Sequence, residues 1–256
     1  MKIITEPRVY VVGRQTIDEA AIDRFIRENE TSWESDTAVG AERLCEVAGR
    51  VCYMSFGKGR KTNAEYLGNI LQSQHGSVLE HAVWNMLFTG VSRSFTHELI
   101  RHRAGFGYSQ LSQRYVDEST ADFVEPQCIA DDPELHAVWL ESIQQAHAAY
   151  CRLVEGLNRR FAAEPSATLR RKLARQAARS VLPNATETKI FVTGNARAWR
   201  HFIELRGNEH AETEIRVVAL KVLRILQAES PNLFGDYRIE TLPDGVEVAR
   251  TEHRKV

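Results

Sequence analysis

Residues 101–115, RHRAGFGYSQLSQRY, gather four side chains that can carry positive charge and no acidic residue. The four are Arg101, His102, Arg103 and Arg114. Glycines within the segment let the backbone approach a ligand closely. Guanidinium groups, hydroxyls and free backbone N–H groups together suit a phosphate or a carboxylate. The segment therefore indicates an anion-binding site.

Part of this charge has a purely structural explanation. We expect SFTHELIRHR (94–103) to be helical, which places Arg101 and Arg103 in the last turn, where cations complement the helix dipole. The segment GFGYSQLSQR (105–114) is expected to be a loop. The helix dipole does not explain the hydroxyls, amides and further arginine of that loop, so the anion site is favoured.

Two other chemistries fit these residues less well. HELIRH (97–102) has its histidines five positions apart, about 140° around a helix, whereas the zinc-protease motif needs four. His210, Glu212 and Glu214 form another conceivable ligand set, although helix-surface acids are commoner, and we expect no metal. Neither Ser109 nor Ser112 lies in the GxSxG pattern of a nucleophile, so they are expected to donate hydrogen bonds to an oxyanion.

Nucleic acid is the main alternative anion. Phe106 and Tyr108 can stack on bases, and RRKLARQAARS (170–180) is a second basic run. Arg171, Arg175 and Arg179 lie four apart on one helix face, for which solvent exposure is the default, with Arg179 the best candidate to point inward. The formal net charge of −1 and the missing recognition motif argue against nucleic acid.

The elements that position these residues are predicted from hydrophobic periodicity. Strands are expected at 8–13, 81–92 and 186–194, with further strand character in 115–119 and 121–126. Helices are expected over 17–29, 41–51, 64–74 capped by Asn63, 132–163, 167–179, 195–205 capped by Asn195, and 211–229 stopped by Pro231. This pattern predicts one α/β (α+β) domain over residues 1–235, with a central antiparallel or mixed sheet flanked by helices, and a polar tail over 236–256.

Composition places the chain among ordinary globular proteins. It has 256 residues, 43% of them hydrophobic and 26% charged. The four cysteines form no CxxC pair and match no zinc spacing, which favours reduced thiols. No apolar run is long enough for a membrane span or a secretory signal. We therefore expect a cytoplasmic protein with no membrane partner.

Several motifs together resemble the flavin-dependent thymidylate synthases. Arg101-His102-Arg103, eight residues, then Ser112-Gln113-Arg114-Tyr115 is similar to that family's signature, with a spacer one residue longer than usual. HGSVLEH (75–81), ARSVLP (178–183) and NARAWRHFIELRGNEHAETE (195–214) resemble further family segments in the same order. The matches span roughly residues 45–235.

The resemblance implies a fold of the thymidylate-synthase-complementing type and an enzyme that makes dTMP from dUMP. FAD would be the cofactor, 5,10-methylenetetrahydrofolate the carbon donor and NADPH the reductant, in a homotetramer with sites between subunits. The FAD-binding residues would be His75, Ser77, Arg101, Arg103, Asn195, Arg197, His201 and His210. The dUMP-binding residues would be Glu98, Gln110, Leu111, Ser112, Arg114, Arg179 and Arg206.

Arg206 and Ser112 are the candidates closest to the chemistry. A cation beside the uracil ring would lower the pKa of N3–H and stabilise negative charge on the ring, and Ser112 would orient the substrate without attacking it. No cysteine nucleophile is implied. Glu80 would hold a ligand-binding side chain without contacting the ligand itself, and His102 has no assigned contact. The alternatives are a flavin- or nucleotide-binding relative without synthase activity, favoured by the longer spacer, and a nucleic-acid-binding module.

Overall fold

The computed structural model describes all 256 residues as a mixture of helices and short sheets. The strands are β1 Ile3–Ile4, β2 Arg8–Arg14, β3 Val83–Ser92, β4 Phe106–Gln110, β5 Phe123–Val124, β6 Glu187–Asn195, β7 Arg238–Thr241 and β8 Glu247–Arg250. The helices are α1 Glu19–Glu28, α2 Gly40–Tyr53, α3 Asn63–Gln72, α4 Arg93–Leu99, α5 Gln127–Ala130, α6 Pro133–Arg160, α7 Ala167–Ala178, α8 Ala196–Arg206, α9 Thr213–Glu229 and α10 Pro231–Phe234. The predicted mixed fold is confirmed.

The largest sheet has four strands in the order β2-β3-β6-β4. The chain divides into two compact units, and all four strands of this sheet contribute residues to both. Unit 1 comprises Met1–Arg8, Phe88–Ile100 and Ser109–Phe191. Unit 2 comprises Val9–Leu87, Arg101–Tyr108 and Val192–Val256. No helix is both long and apolar enough to cross a membrane.

Unit 1 is built around the long helix α6. Asp132 caps this helix by accepting from the backbone N–H of Glu134 and Leu135, and Pro133 occupies the first turn as predicted. Parallel strands β1 and β5 pair in the register Ile3 to Phe123. Phe123 is fully buried and packs with Ile143 of α6 in a small apolar cluster. Helix α7 packs against α6.

Unit 2 contains a buried polar network on α2. The Glu46 carboxylate accepts hydrogen bonds from Trp33 Nε1 at 3.0 Å, Asn63 Nδ2 at 2.8 Å and Arg50 Nε at 2.8 Å. Arg50 in turn donates to the carbonyls of residues 55, 58 and 60. Because both charges of this pair are buried and paired, they fix the irregular chain around residues 31–62 to the helix.

Four predicted elements differ from the structure. The segment 106–110, expected to be a loop, is strand β4, because its hydrogen-bonding partner is the distant strand β6. Helix α4 ends at Leu99, so Arg101 and Arg103 lie beyond it and not in its last turn. Thr62, not Asn63, caps α3, and residues 115–119 form turns. Helix α9, in contrast, ends at Glu229 before Pro231 as predicted, and Pro231 is the first residue of α10.

Residues 236–256, predicted as a polar tail, contain the antiparallel hairpin β7–β8 and belong to unit 2. Only a few apolar side chains, chiefly Val248 and Ala249, are buried by it, which is why its composition gave little signal. The hairpin is joined to α8 through Arg200, which is 2% exposed. Arg200 makes two bonds of 2.7 Å to the Asp236 carboxylate and donates to the carbonyl of residue 233.

We expect Asp236→Ala to lower the free energy of unfolding by about 3–5 kcal/mol, because it leaves the Arg200 cation buried without its counter-ion. Glu247→Ala, which removes one partner of the exposed Arg224–Glu247 pair, is the matched control and is expected to cost less than about 1 kcal/mol. Urea unfolding at pH 7 measures both values. Equal losses of unfolding free energy in the two variants would show that the buried Arg200 does not depend on Asp236 for its charge balance.

Candidate functional site

A tight turn brings the chain from the RHR segment into β4. The backbone N–H of Phe106 donates to the Arg103 carbonyl at 3.3 Å, and Gly105 between them has φ of +75°. The Asn195 N–H donates to the Gly105 carbonyl at 3.1 Å. A Cβ at position 105 would lie 2.7 Å from Asn195 Nδ2. Both the left-handed backbone and this contact require glycine here.

Asn195 begins the helix that carries most of the remaining predicted residues. Its side-chain oxygen accepts from the Ala198 N–H at 2.9 Å, which confirms the predicted cap of α8. The helix runs to Arg206, its last residue, as the sequence indicated. Helix α8 therefore has fixed starting and end points, with Asn195 at one and Arg206 at the other.

His102 is the direct partner of Arg206. The guanidinium Nε of Arg206 donates to Nε2 of the buried His102 ring at 3.1 Å. The hydroxyl of Tyr108 donates to the His102 carbonyl at 2.5 Å. The rings of Phe106, His201 and Phe202 pack edge-on around the imidazole, with centroids 5.3 to 6.4 Å away. These contacts give His102 the role that sequence reasoning did not assign.

The ring of His102 must be neutral to accept this bond. Burial, followed by the charges of Arg206 and His201, lowers the pKa of His102 to about 4. Nε2 is then an acceptor throughout the neutral range, and the proton of the neutral ring is on Nδ1. The imidazole thus orients the Arg206 guanidinium.

Unit 2 contains all eight residues of the predicted FAD set, and contacts join several of them. His75 precedes the 3₁₀ turn Gly76–His81, which contains Ser77 and packs against α8. Arg197 Nη1 donates to Glu80 Oε1 at 2.7 Å, so Glu80 supports a predicted ligand as expected. A Cβ at Gly76 would lie 2.8 Å from Arg197 Nε. The close approach of the Gly76 backbone to Arg197, together with the Asn195 cap and the imidazoles of His75 and His201 in the same unit, fits a cofactor that carries a pyrophosphate.

Three members of the FAD set lie apart from these contacts. Arg101 and Arg103 are exposed in the turn that follows α4. His210 is exposed and lines a recess of about 460 Å³ with Leu205, Asn208 and residues of strand β8. None of the other seven residues lines that recess.

Unit 1 holds the predicted dUMP residues other than Arg206. Gln110 Nε2 donates to Thr96 Oγ1 at 2.9 Å and to Thr188 Oγ1 at 3.4 Å. The Leu111 backbone is held on both sides, its N–H donating to the Lys189 carbonyl at 2.9 Å and its carbonyl accepting from Arg93 Nη1 at 3.3 Å. The backbone around Leu111 is therefore fixed by neighbours in the same unit.

Ser112 and Arg114 belong to the turn that follows. The Ser112 carbonyl accepts from the backbone N–H groups of Tyr115 and Val116, and its hydroxyl lies 3.4 Å from the Arg114 N–H. The Arg114 Nε is buried and makes no hydrogen bond within the protein. A buried, unpaired guanidinium N–H is a place where an anion would be stabilised.

The arginines of the second basic run differ from the prediction. Arg179 follows α7 in a 3₁₀ turn and is exposed, so it does not point inward. Arg175 is the inward residue, because it donates to the Tyr115 carbonyl and the Asp117 carboxylate, both at 2.7 Å. Glu98 lies on α4, in partial contact with solvent. Sequence reasoning missed the supporting roles of Arg93 and Arg175, whose partners are distant in the chain.

Comparison with known proteins agrees with this geometry. A family model described as "Thymidylate synthase complementing protein" matches residues 35–232. The chain belongs to this family. A flavin-dependent thymidylate synthase of Mycobacteroides abscessus is 53% identical over 228 residues, 88% of this chain and 90% of that protein. The flavin-dependent thymidylate synthase of Mycolicibacterium vanbaalenii is 54% identical over 220 residues, 85% and 87% of the two chains. The resemblance noted in the sequence is confirmed.

Solved structures support the fold of this chain. The UMP/dUMP methylase PolB of Streptomyces cacaoi, bound with 5-Br dUMP, superposes with a TM-score of 0.66 at 20% identity, covering 92% of this chain and 96% of PolB. The same protein with 5-Br UMP gives a TM-score of 0.63 at 19% identity and covers 92% and 95%. At this identity the likeness establishes the fold.

The depressed pKa of His102 makes stability depend on pH. The unfolded chain binds a proton at this position below about pH 6.5, whereas the folded chain does so only near pH 4. Stability is therefore fully present above pH 6.5 and is lost as the pH falls toward 4, by up to about 3 kcal/mol.

We expect His102→Gln to reduce this loss, measured as the difference in free energy of unfolding between pH 7 and pH 4.5. His81→Gln, at an exposed position of the same unit, is the control and should retain the wild-type dependence. The same pH dependence in all three proteins would show that the folded and the unfolded chain protonate His102 equally readily.

Proposed function

We propose that this chain converts dUMP to dTMP, with FAD as cofactor, 5,10-methylenetetrahydrofolate as the one-carbon donor and NADPH as reductant. The observation that carries the proposal is the similarity to flavin-dependent thymidylate synthases, above 50% identity over 85–88% of the chain. The PolB structures, obtained with brominated UMP and dUMP, add a relative of the same fold that binds these nucleotides. The side chains of the two predicted sets supply the chemistry that such ligands need.

The substrate phosphate would meet the cations of unit 1. Arg114 presents a buried, unpaired Nε, and Ser112 adds a hydroxyl at the same turn. Arg179 is an exposed cation, and Gln110 and Leu111 have their backbone and side-chain atoms fixed by other residues. Charge-assisted bonds to such preorganised groups select a phosphate and fix its position.

Arg206 would act on the uracil ring. The hydrogen bond to a neutral imidazole gives the guanidinium its direction and does not itself cancel the positive charge. Placed beside the ring, it favours loss of the N3 proton and stabilises the negative charge that makes carbon 5 nucleophilic. Arg206 would thus be the catalytic residue, and His102 its positioning partner.

The proposed reaction needs no thiol nucleophile, and Cys45 does not supply one. Cys45 is fully buried, and burial raises the pKa of its thiol to about 12, so it carries no thiolate at neutral pH. Activation of the uracil ring by Arg206 replaces the covalent attack that a cysteine would make. The flavin, when bound, supplies the hydride that completes the methyl group.

The flavin would be held by unit 2. Arg197, braced by Glu80, and the histidines and Asn195 of the same unit would bind its pyrophosphate and polar edges. We further propose a homotetramer with sites where subunits meet, as the resemblance implies. All four cysteines are free, as is usual for the cytoplasm, where we place the reaction.

We expect the purified protein to release tritium from dUMP labelled at ring carbon 5. Release should require FAD, methylenetetrahydrofolate and NADPH, because hydrogen leaves carbon 5 only when the one-carbon unit is transferred there. The measurement omits each component in turn. Protein that binds FAD yet releases no tritium under the full mixture would be a flavin-binding relative without synthase activity.

Arg206→Ala is expected to lower kcat/KM for dUMP by about 10²–10³-fold, because it removes the charge proposed beside the ring. Arg224→Ala, which removes an exposed arginine of the same unit, is the control and should leave the kinetics unchanged. Ser112→Ala should weaken dUMP binding more than it lowers kcat, since the hydroxyl orients the substrate. Normal kinetics for Arg206→Ala would remove this residue from the site.

A further inference from the structure

A buried carboxyl lies behind the segment that carries Gln110, Leu111, Ser112 and Arg114. Glu118 is 4% exposed, and its Oε1 makes no hydrogen bond within the protein. Its backbone N–H donates to the Tyr150 hydroxyl at 3.3 Å, which fixes the turn. A buried carboxylate with an unpaired oxygen is costly, and nothing in the proposed reaction uses it so far.

The charged groups around Glu118 leave it one principal counter-ion. Those that face it are Arg93 from α4, Glu187 and Lys189 from β6, and Asp117, with the Tyr150 phenol from α6. Asp117 is engaged by Arg175 at 2.7 Å, and Lys189 by Glu187 at 2.9 Å. Arg93 is left as the cation that favours an ionised Glu118.

Arg93 connects this carboxyl to the proposed substrate residues. Its Nη1 donates to the Leu111 carbonyl, which positions the group without neutralising it. Burial, and also repulsion from Arg179, lowers the pKa of Arg93, whereas Glu118 raises it. Arg93 therefore interacts electrostatically with one negative charge, that of Glu118, and with one positive charge, that of Arg179.

A phosphate dianion bound at Arg179 would add negative charge to this group. Arg93 would then lie near two anions, and each negative charge raises the pKa of the other. Burial already raises the pKa of Glu118 to about 7, so a further increase changes its protonation at neutral pH. The substrate phosphate would receive charge-assisted hydrogen bonds from guanidinium groups, whereas Glu118 Oε1 receives no hydrogen bond within the protein.

We propose that Glu118 takes up one proton from solvent when the substrate phosphate binds, so that the nucleotide replaces the carboxylate as counter-ion of Arg93. No bond other than O–H forms. This inference rests on the proposed function, because it needs dUMP at the unit 1 residues. Glu118 is a positioning residue in this scheme, since it acts through Arg93.

The inference gives substrate binding a definite pH dependence. When Glu118 is ionised, binding must recruit a proton, so affinity falls as the pH rises, by up to about ten-fold per pH unit. A nucleotide phosphate has its second pKa near 6 and is a dianion above pH 7. A change in dUMP affinity between pH 7 and pH 8.5 therefore reflects the titration of a protein group and not that of the phosphate.

Calorimetry on the FAD-loaded protein tests the proton directly. dUMP binding at pH 7.5, measured in two buffers of different ionisation enthalpy, should show uptake of up to one proton in the wild type. Glu118→Gln should abolish the uptake and flatten the pH dependence of Kd. Glu125→Gln is the matched control, because Glu125 is also 4% exposed and lies in unit 1, paired with His136 at 2.7 Å. It should keep the wild-type uptake.

A second measurement needs no variant. The infrared difference spectrum on adding dUMP should contain the band of a newly protonated carboxyl, and deoxyuridine, which has no phosphate, should not produce it. Absence of the band, or equal proton uptake in wild type and Glu118→Gln, overturns the inference while dUMP binding and methylation still stand. Failure of dUMP to bind the FAD-loaded protein overturns the inference and the proposed function together.

Discussion

A neutral imidazole is the constraint on which the arrangement around Arg206 depends. His102 can accept the guanidinium N–H only while its ring is uncharged, and an apolar shell of Phe106 and Phe202 keeps it so. That shell exists because the Gly105 turn places Phe106 against α8. The Gly105 turn, the His102 ring and helix α8 thus depend on one another, and each is needed to direct the Arg206 guanidinium.

The same principle recurs in unit 1 with a different acceptor. Arg93 is held by the Leu111 carbonyl. A neutral acceptor fixes a guanidinium in space but leaves its charge available, whereas a carboxylate partner would cancel much of it. A chain with net charge near zero can in this way keep a local field strong enough for phosphate ligands.

Local sequence determined the helices and their caps better than it determined the sheet. Asn195 caps the helix that it was predicted to cap, since a cap is an interaction over three or four residues. Strand β4 was missed because FGYSQ has little intrinsic preference for a strand and gains it by pairing. The role of His102 was missed for a similar reason, since its partner lies 104 positions away. Arg200, the most buried arginine of unit 2, gave no signal, because Asp236 is equally remote in the sequence.

The left-handed glycine at 105 has a consequence for how insertions are tolerated in this protein. An extra residue within a strand would turn every following side chain to the opposite face. The Gly105 turn lies before β4 and is closed by the Arg103 carbonyl and the Phe106 N–H, so a change of length within this turn would leave the strand unshifted. The position of the Gln110 side chain in the strand is set by its hydrogen bonds to Thr96 and Thr188. Alignments of such chains are therefore better anchored on the strand and its partners than on the count of residues between the two halves of the signature.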